Sequence, residues 1–185
     1  DANQCFTLSE ALRRAAAYAE LGIAWFEEPL PADDIAGHAR LAASTPVPIA
    51  VGESLYSPGQ FADYIAQGAC SIVQVDVARI GGITPWLKVA HMAECHNLMV
   101  APHFLMELHV SLTAASPAAR WVEYIPQLDA VAHSRVLIAA GEAVAQRPGK
   151  GHQLVPDLFA EMLVPHDQQL STLGTCHGHD DRPGH

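Results

Sequence analysis

Three acidic residues recur at an even interval. Asp1, Glu27 and Glu53 are each separated by 26 residues. Each belongs to a short apolar or extended-looking stretch: Asp1-Ala2-Asn3, Trp25-Phe26-Glu27-Glu28-Pro29 and Val51-Gly52-Glu53-Ser54. About 26 residues is what one strand, one helix and their two loops occupy in a repeating βα fold. Neighbouring strands lie about 5 Å apart, so acids at one level of three successive parallel strands converge on a point. Three carboxylates that close require a divalent cation between them. An all-carboxylate donor set suits a hard, oxygen-preferring ion such as Mg²⁺.

The same count continues downstream. Asp76 lies 23 residues after Glu53, His103 lies 27 after Asp76, and Glu123 lies 20 after His103. Every candidate falls at the C-terminal end of an apolar stretch, the face that carries chemistry in βα barrels. Asp76 and His103 come from adjacent strands, where a carboxylate can orient an imidazole and raise its basicity.

The elements that must hold these side chains are legible in order. Thr7-Leu8-Ser9-Glu10 is a capping-box pattern. It opens a helix that Gly22 stops, and Ile23–Phe26 follows as a buried strand. A helix over about Asp34–Ala43 precedes a strand at Val47–Val51, and Ser57-Pro58 starts a helix that Gly68 closes. Ser71–Asp76 reads as strand, Thr84-Pro85 opens a helix to about His96, and Leu98–Ala101 is strand again. A helix near Glu107–Ala115 leads to a strand at Trp121–Tyr124, and a hairpin is expected around Ala140-Gly141.

Strands that are apolar on both alternations, each followed by a helix, indicate an α/β fold with a covered parallel sheet. The expectation is a (β/α)₈ TIM-type barrel incomplete on its N-terminal side. It has about six of eight βα units and a C-terminal extension. The expected division is a partial barrel over 1–130, a segment at 131–165 that packs on the barrel or a cap domain, and a disordered tail at 166–185. No Gly-x-Gly-x-x-Gly follows a strand, so a dinucleotide fold has no support.

Composition narrows the partners. The formal charge is −10, with Lys88 and Lys150 the only lysines, which argues against nucleic acid. No apolar run approaches the roughly 18 residues of a membrane helix. The four cysteines show no paired spacing, so a reducing, cytoplasmic setting is expected.

Taken together, Asp1-Ala2-Asn3, Phe26-Glu27-Glu28-Pro29, Gly52-Glu53-Ser54, Asp76 with Gly81-Gly82, Pro102-His103 and Glu123 resemble the barrel domain of the enolase superfamily, and most closely its mandelate racemase group. The resemblance implies that Asp1, Glu27 and Glu53 ligate Mg²⁺. It implies His103 as general base paired with Asp76, and a protonated Glu123 donating to the substrate carboxylate. Asn3 and Arg79 are implied as substrate contacts, and Glu28 as support behind the metal ligands.

The reaction implied is Mg²⁺-dependent removal of the proton α to a carboxylate, giving a metal-stabilised enediolate. Loss of water from the β-position of a sugar acid then follows. The stretch His103–His109 is similar to acid-sugar dehydratases of the group. A 2-hydroxy-acid racemase is the alternative, and a catalytically inactive truncated piece is a further one. The group's second-strand lysine motif and the start of its cap domain are not in the pattern, so the chain reads as part of a longer protein. That full-length protein is expected to be a homo-oligomer acting on a small carboxylate.

Overall fold

In a computed structural model, residues 1–125 are described in full, together with the backbone of three further short strands. The expected tail at 166–185 and most of the expected segment at 131–165 lie outside the described residues. Four parallel strands form the main sheet in chain order: β1 Phe26–Glu27, β2 Ile49–Val51, β3 Ile72–Val73 and β4 Met99–Val100. Between and after them run α1 Leu8–Leu21, α2 Ile35–Ser44, α3 Pro58–Ala66, α4 Ile83–Cys95 and α5 Met106–Ala115. The strands β5 Val136–Ala139 and β6 Glu142–Ala145 form the expected antiparallel hairpin, and β7 Gln153–Leu154 joins β6.

The helix boundaries follow local chemistry. Asp34 caps α2 by accepting the Gly37 N–H. Ser57 and Gln60 cap α3 reciprocally, with Pro58 at the first helical position. Gly22 ends α1 at φ +66. At Thr7 only half of the expected box forms. The Thr7 hydroxyl accepts the Glu10 N–H at 3.4 Å, but the Glu10 carboxylate turns outward to Arg13 and Arg14.

Alternation along each strand divides the apolar residues between two faces. Ile49, Val51, Val73 and Val75 face the helices and pack with Phe61, Tyr64 and Trp86. Ala50, Ile72 and Ala101 pack on the other side with Trp25, Met99 and Trp121. Burial on both faces is why the strands read as nearly continuous apolar runs.

Two expected strands are altered by the structure. Ala2 N–H donates to the Glu27 carbonyl at 2.9 Å and Gln4 N–H to the Glu28 carbonyl at 2.7 Å. However, Asn3 and Gln4 have φ of +47 and +64, which turns the chain out of line, so the segment pairs beside β1 without becoming a strand. At the other edge, pairing with β4 falls at Ala118–Arg120 through a single bridge between Val100 and Ala119. Residues 121–125 belong to no strand. The short turn after α5 brings two small alanines against β4, and Trp121 packs with the inner cluster instead.

Gly52 shows how closely β2 and β3 approach at the level of the site. A Cβ added there meets the Gln74 backbone carbon at 2.5 Å, and its φ is +156. Backbone cannot move aside as a side-chain tip can. Gly52→Ala is therefore expected to destabilise the fold by about 2–4 kcal/mol, measured by denaturant unfolding. A loss below about 0.5 kcal/mol, the range of ordinary surface substitutions, contradicts this reading.

Candidate active site

The acids that close the first βα units come together. Asp1, Glu27 and Glu53 each offer a carboxylate oxygen, and the three oxygens lie within 4.8 Å of one another. Opposite ligands of an octahedral Mg²⁺ are about 4.2 Å apart at the usual bond length. The 4.8 Å limit is slightly wider than that span, so a bound ion would draw the carboxylates a little closer. The all-oxygen donor set suits a hard divalent cation. Each carboxylate is also steered by a donor. Asn3 N–H donates to Asp1 Oδ1 at 2.7 Å, and Trp25 Nε1–H donates to Glu27 Oε2 at 3.1 Å. Arg79 Nη1 donates to the Glu53 carbonyl at 2.7 Å and lies 3.4 Å from Glu53 Oε1.

Behind this cluster lies a network that ties the three chain segments together. Glu28, 3% exposed, accepts from Gln4 Nε2 at 3.1 Å and from the Ser54 hydroxyl at 3.3 Å. Gln4 Nε2 also donates to Ser54 Oγ at 2.8 Å, and Gln4 Oε1 accepts the Ala32 N–H at 2.8 Å. Glu28 and Ser54 directly follow Glu27 and Glu53, so the network braces the backbone that carries them. Burial pushes the Glu28 carboxyl above its usual range, with the nearby Glu53 adding to this; the bonds from Ser54 and Gln4 offset part of it. Gln4 and Ser54 were not anticipated. The signal available was that Ser54 follows Glu28 by the same 26 residues that separate the acids.

Asp76 and His103 lie at one level, each four residues beyond the paired Ile72 and Met99. His103 Nδ1 lies 3.0 Å from Asp76 Oδ2, and Nε2 lies 3.1 Å from Glu53 Oε2. Asp76 Oδ1 accepts the Ala78 N–H at 2.7 Å and the Arg79 N–H at 3.1 Å. Burial pushes the Asp76 carboxyl up, but His103 and these two amides outweigh it and hold it below the ordinary value. His103 is the complement. Burial pushes its imidazole down, while Asp76, Glu53 and Glu123 together raise it above the ordinary value, against a smaller repulsion from Arg79.

Glu123 joins the group from the far side. Its Oε2 accepts the Phe104 N–H at 2.7 Å. Glu123 is exposed to solvent on one side; the protein around its carboxyl raises its pKa, with Glu27 and Glu53 adding to the rise, while Phe104 and His103 pull it back. Arg79 lies against protein acids, with Nε 3.8 Å from Asp76 Oδ2 in addition to its Glu53 contacts. Asn3 stands at the exposed turn beside Asp1, and its backbone makes the contact described above. All nine anticipated residues thus fall around one region at the C-terminal ends of the strands.

The chain is similar to several known proteins. The chain is 39% identical over 155 residues to an L-talarate/galactarate dehydratase of Salmonella typhimurium, covering 83% of this chain and 39% of the relative. A crystal structure of L-talarate dehydratase from a Polaromonas species, complexed with Mg and L-glucarate, superposes with a TM-score of 0.75. Identity there is 43%, over 83% of this chain and 43% of that one. A crystal structure of an enolase from Bradyrhizobium, complexed with magnesium and mandelic acid, matches with a TM-score of 0.75 at 32% identity. It covers 82% of this chain and 42% of that one. The chain thus spans about two fifths of the length of each of these relatives. The profile of the enolase C-terminal domain-like family matches residues 1–158, and with strand-end acids and the His103–Asp76 pair in the expected register, the chain belongs to that family.

Proposed function

We propose that this chain carries the metal and base centre of an Mg²⁺-dependent acid-sugar dehydratase. The observation that carries the reading is the contact of His103 Nε2 with Glu53 Oε2 at 3.1 Å, which sets a Brønsted base directly beside a carboxylate cluster suited to a cation. Asp1, Glu27 and Glu53 would hold Mg²⁺. When bound, the ion supplies a Lewis acid for the substrate carboxylate, lowering the cost of charge that develops as the α-proton leaves.

The chain's own groups supply the rest. Asp76 holds the His103 ring by Nδ1, and Nε2 would take the α-proton once Glu53 Oε2, its neighbour at 3.1 Å, turned to the cation. The electron pair of the broken C–H bond moves toward the carboxylate, where Glu123, its pKa raised, donates a hydrogen bond to an oxygen. The β-hydroxyl then leaves with the proton taken up by His103, as water. The resulting enol ketonises to a 2-keto-3-deoxy acid. Arg79 keeps Glu53 and Asp76 in register, and together with Asn3 borders the space for the substrate's polar groups. Glu28 braces the metal ligands from behind.

We also read the described sheet as part of a (β/α)₈ barrel, with 1–130 its partial catalytic unit. The proposed setting is cytoplasmic, and the full-length protein a homo-oligomer without nucleic-acid or membrane partners. Among the described residues no helix is long and apolar enough to cross a membrane.

A 2-hydroxy-acid racemase is the second reading, favoured by the similarity to a structure that binds mandelic acid. Incubation with Mg²⁺ and a panel of sugar acids in D₂O separates the two. Dehydration releases a 2-keto-3-deoxy acid, whereas racemisation exchanges the α-proton without loss of water. Neither product with any acid, from a folded chain that binds Mg²⁺, favours an inactive piece.

A further inference from the structure

His109 is completely buried on α5, and the reaction assigned above makes no use of it. Its ring spans two loops that are distant in sequence. Nε2 lies 3.1 Å from the Val77 backbone nitrogen, and Nδ1 lies 2.6 Å from the Phe104 carbonyl oxygen. An amide N–H can only donate, and a carbonyl can only accept. The ring must therefore carry its proton on Nδ1 and keep a lone pair on Nε2, so the neutral Nδ1–H tautomer is the one that satisfies both partners. Burial lowers the imidazole's pKa, in the same direction; the Phe104 carbonyl and Asp76 oppose it, and His103 adds to it.

The two residues held are the immediate successors of the proposed dyad. Val77 follows Asp76, and Phe104 follows His103. The opposite flank of Asp76 is gripped as well, because Trp86 Nε1–H donates to the Val75 carbonyl at 3.1 Å and the Trp86 ring lies against His109. Phe104 is itself a junction. Its N–H donates to Glu123 Oε2 at 2.7 Å, while its carbonyl accepts from His109. Between those two bonds Phe104 has φ +57, and Leu105 follows at φ +35. Non-glycine residues hold such values only where the surroundings impose them.

We infer that His109 is a positioning residue, a neutral imidazole cross-link that fixes Asp76, His103 and Glu123 relative to one another through Val77 and Phe104. This rests on the function proposed above for those three residues. The Mg²⁺ cluster has a brace of its own in the Gln4–Glu28–Ser54 network, beside the Arg79 and His103 contacts that link Glu53 to the dyad. Loss of His109 should therefore disturb proton transfer and leave cation binding alone.

The test compares wild type, His109→Phe and His109→Gln in the full chain. Glutamine can return a side-chain oxygen to the Val77 N–H, whereas phenylalanine returns neither bond. His109→Phe is expected to lower kcat about 10²-fold, as a misplacement of about 1 Å does, with KM and Mg²⁺ affinity by calorimetry nearly unchanged. His109→Gln is expected to recover a large part of that loss. Equal kcat in wild type and a folded His109→Phe overturns the inference, as does an equal loss of Mg²⁺ affinity.

A second readout needs no turnover. In ¹⁵N spectra of wild type, His109 is expected to show a protonated Nδ1 and a bare Nε2 from pH 8 to below the ordinary histidine pKa of about 6.5. In His109→Phe the Phe104 amide and His103 ring resonances are expected to move. An Nε2–H tautomer, or unmoved His103 and Phe104 signals, overturns the cross-link. If His109→Phe does not fold, the wild-type tautomer and the His109→Gln spectra decide. If wild type turns over no sugar acid while these signatures appear, the assigned reaction has failed and the cross-link stands.

Discussion

His103→Asn is expected to reduce dehydration of a competent sugar acid by about 10²–10⁴-fold while leaving Mg²⁺ binding intact. A positioned general base contributes about 10²–10⁴-fold, and none of the other groups around the cluster can replace it. Asp76 is held below the ordinary carboxylate pKa by His103 and two amides, which makes it a poor proton acceptor. Glu123 is shifted toward its protonated form, and Arg79 has no proton it can give up. Asparagine can still accept or donate near Asp76 Oδ2, so the pocket is not left with an unpaired buried acid. In wild type the His103 ring shares Glu53 Oε2, so its removal frees that oxygen and should not weaken the cation. The measurements are release of 2-keto-3-deoxy acid and calorimetry with Mg²⁺. Turnover within tenfold of wild type would remove His103 from the base role.

Glu27→Gln should give the second large effect, and it has two parts of opposite sign. Without a divalent ion the variant is expected to be more stable than wild type. Three carboxylate oxygens within 4.8 Å repel one another, by about 1 kcal/mol per pair in a water-like setting and more where solvent is excluded. Asp1 is exposed and the other two are half-buried, so the lower figure applies. With Mg²⁺ the order reverses. Wild type gains RT ln(1 + [L]/Kd), or about 2.7 kcal/mol at a hundredfold excess over Kd, while the variant lacks one of three anionic ligands and gains little. The crossing of the two thermal midpoints on adding Mg²⁺, and its removal by a chelator, is the result to look for. Parallel midpoints in both conditions would mean that the acids are merely neighbours.

Much of this site could be read along the chain because a parallel βα repeat converts sequence interval into spatial level. The spacing of 26 between Asp1, Glu27 and Glu53 needs no tertiary information beyond the repeat itself. The helix starts at Asp34 and Ser57 are similarly local, since a cap is formed by residues three apart. The strand at Trp121–Tyr124 was misplaced for a related reason. Its apolar content reflects packing into the inner cluster, whereas the edge pairing is made by Ala118–Arg120. Composition does not distinguish a residue buried by its side chain from one paired by its backbone.

What lay beyond the sequence were contacts set by how separate units face each other. Gln4 and Ser54 meet Glu28 because three loops converge behind the acids. The hold of His109 on Val77 spans 32 residues, and depends on how α5 is rotated after the left-handed turn at Phe104 and Leu105. The one-dimensional repeat determined which residues reach the site and at what level. The three-dimensional packing decided which tautomer, which hydrogen-bond partner and which loop geometry hold them there, because those depend on directions between elements that a residue interval does not encode.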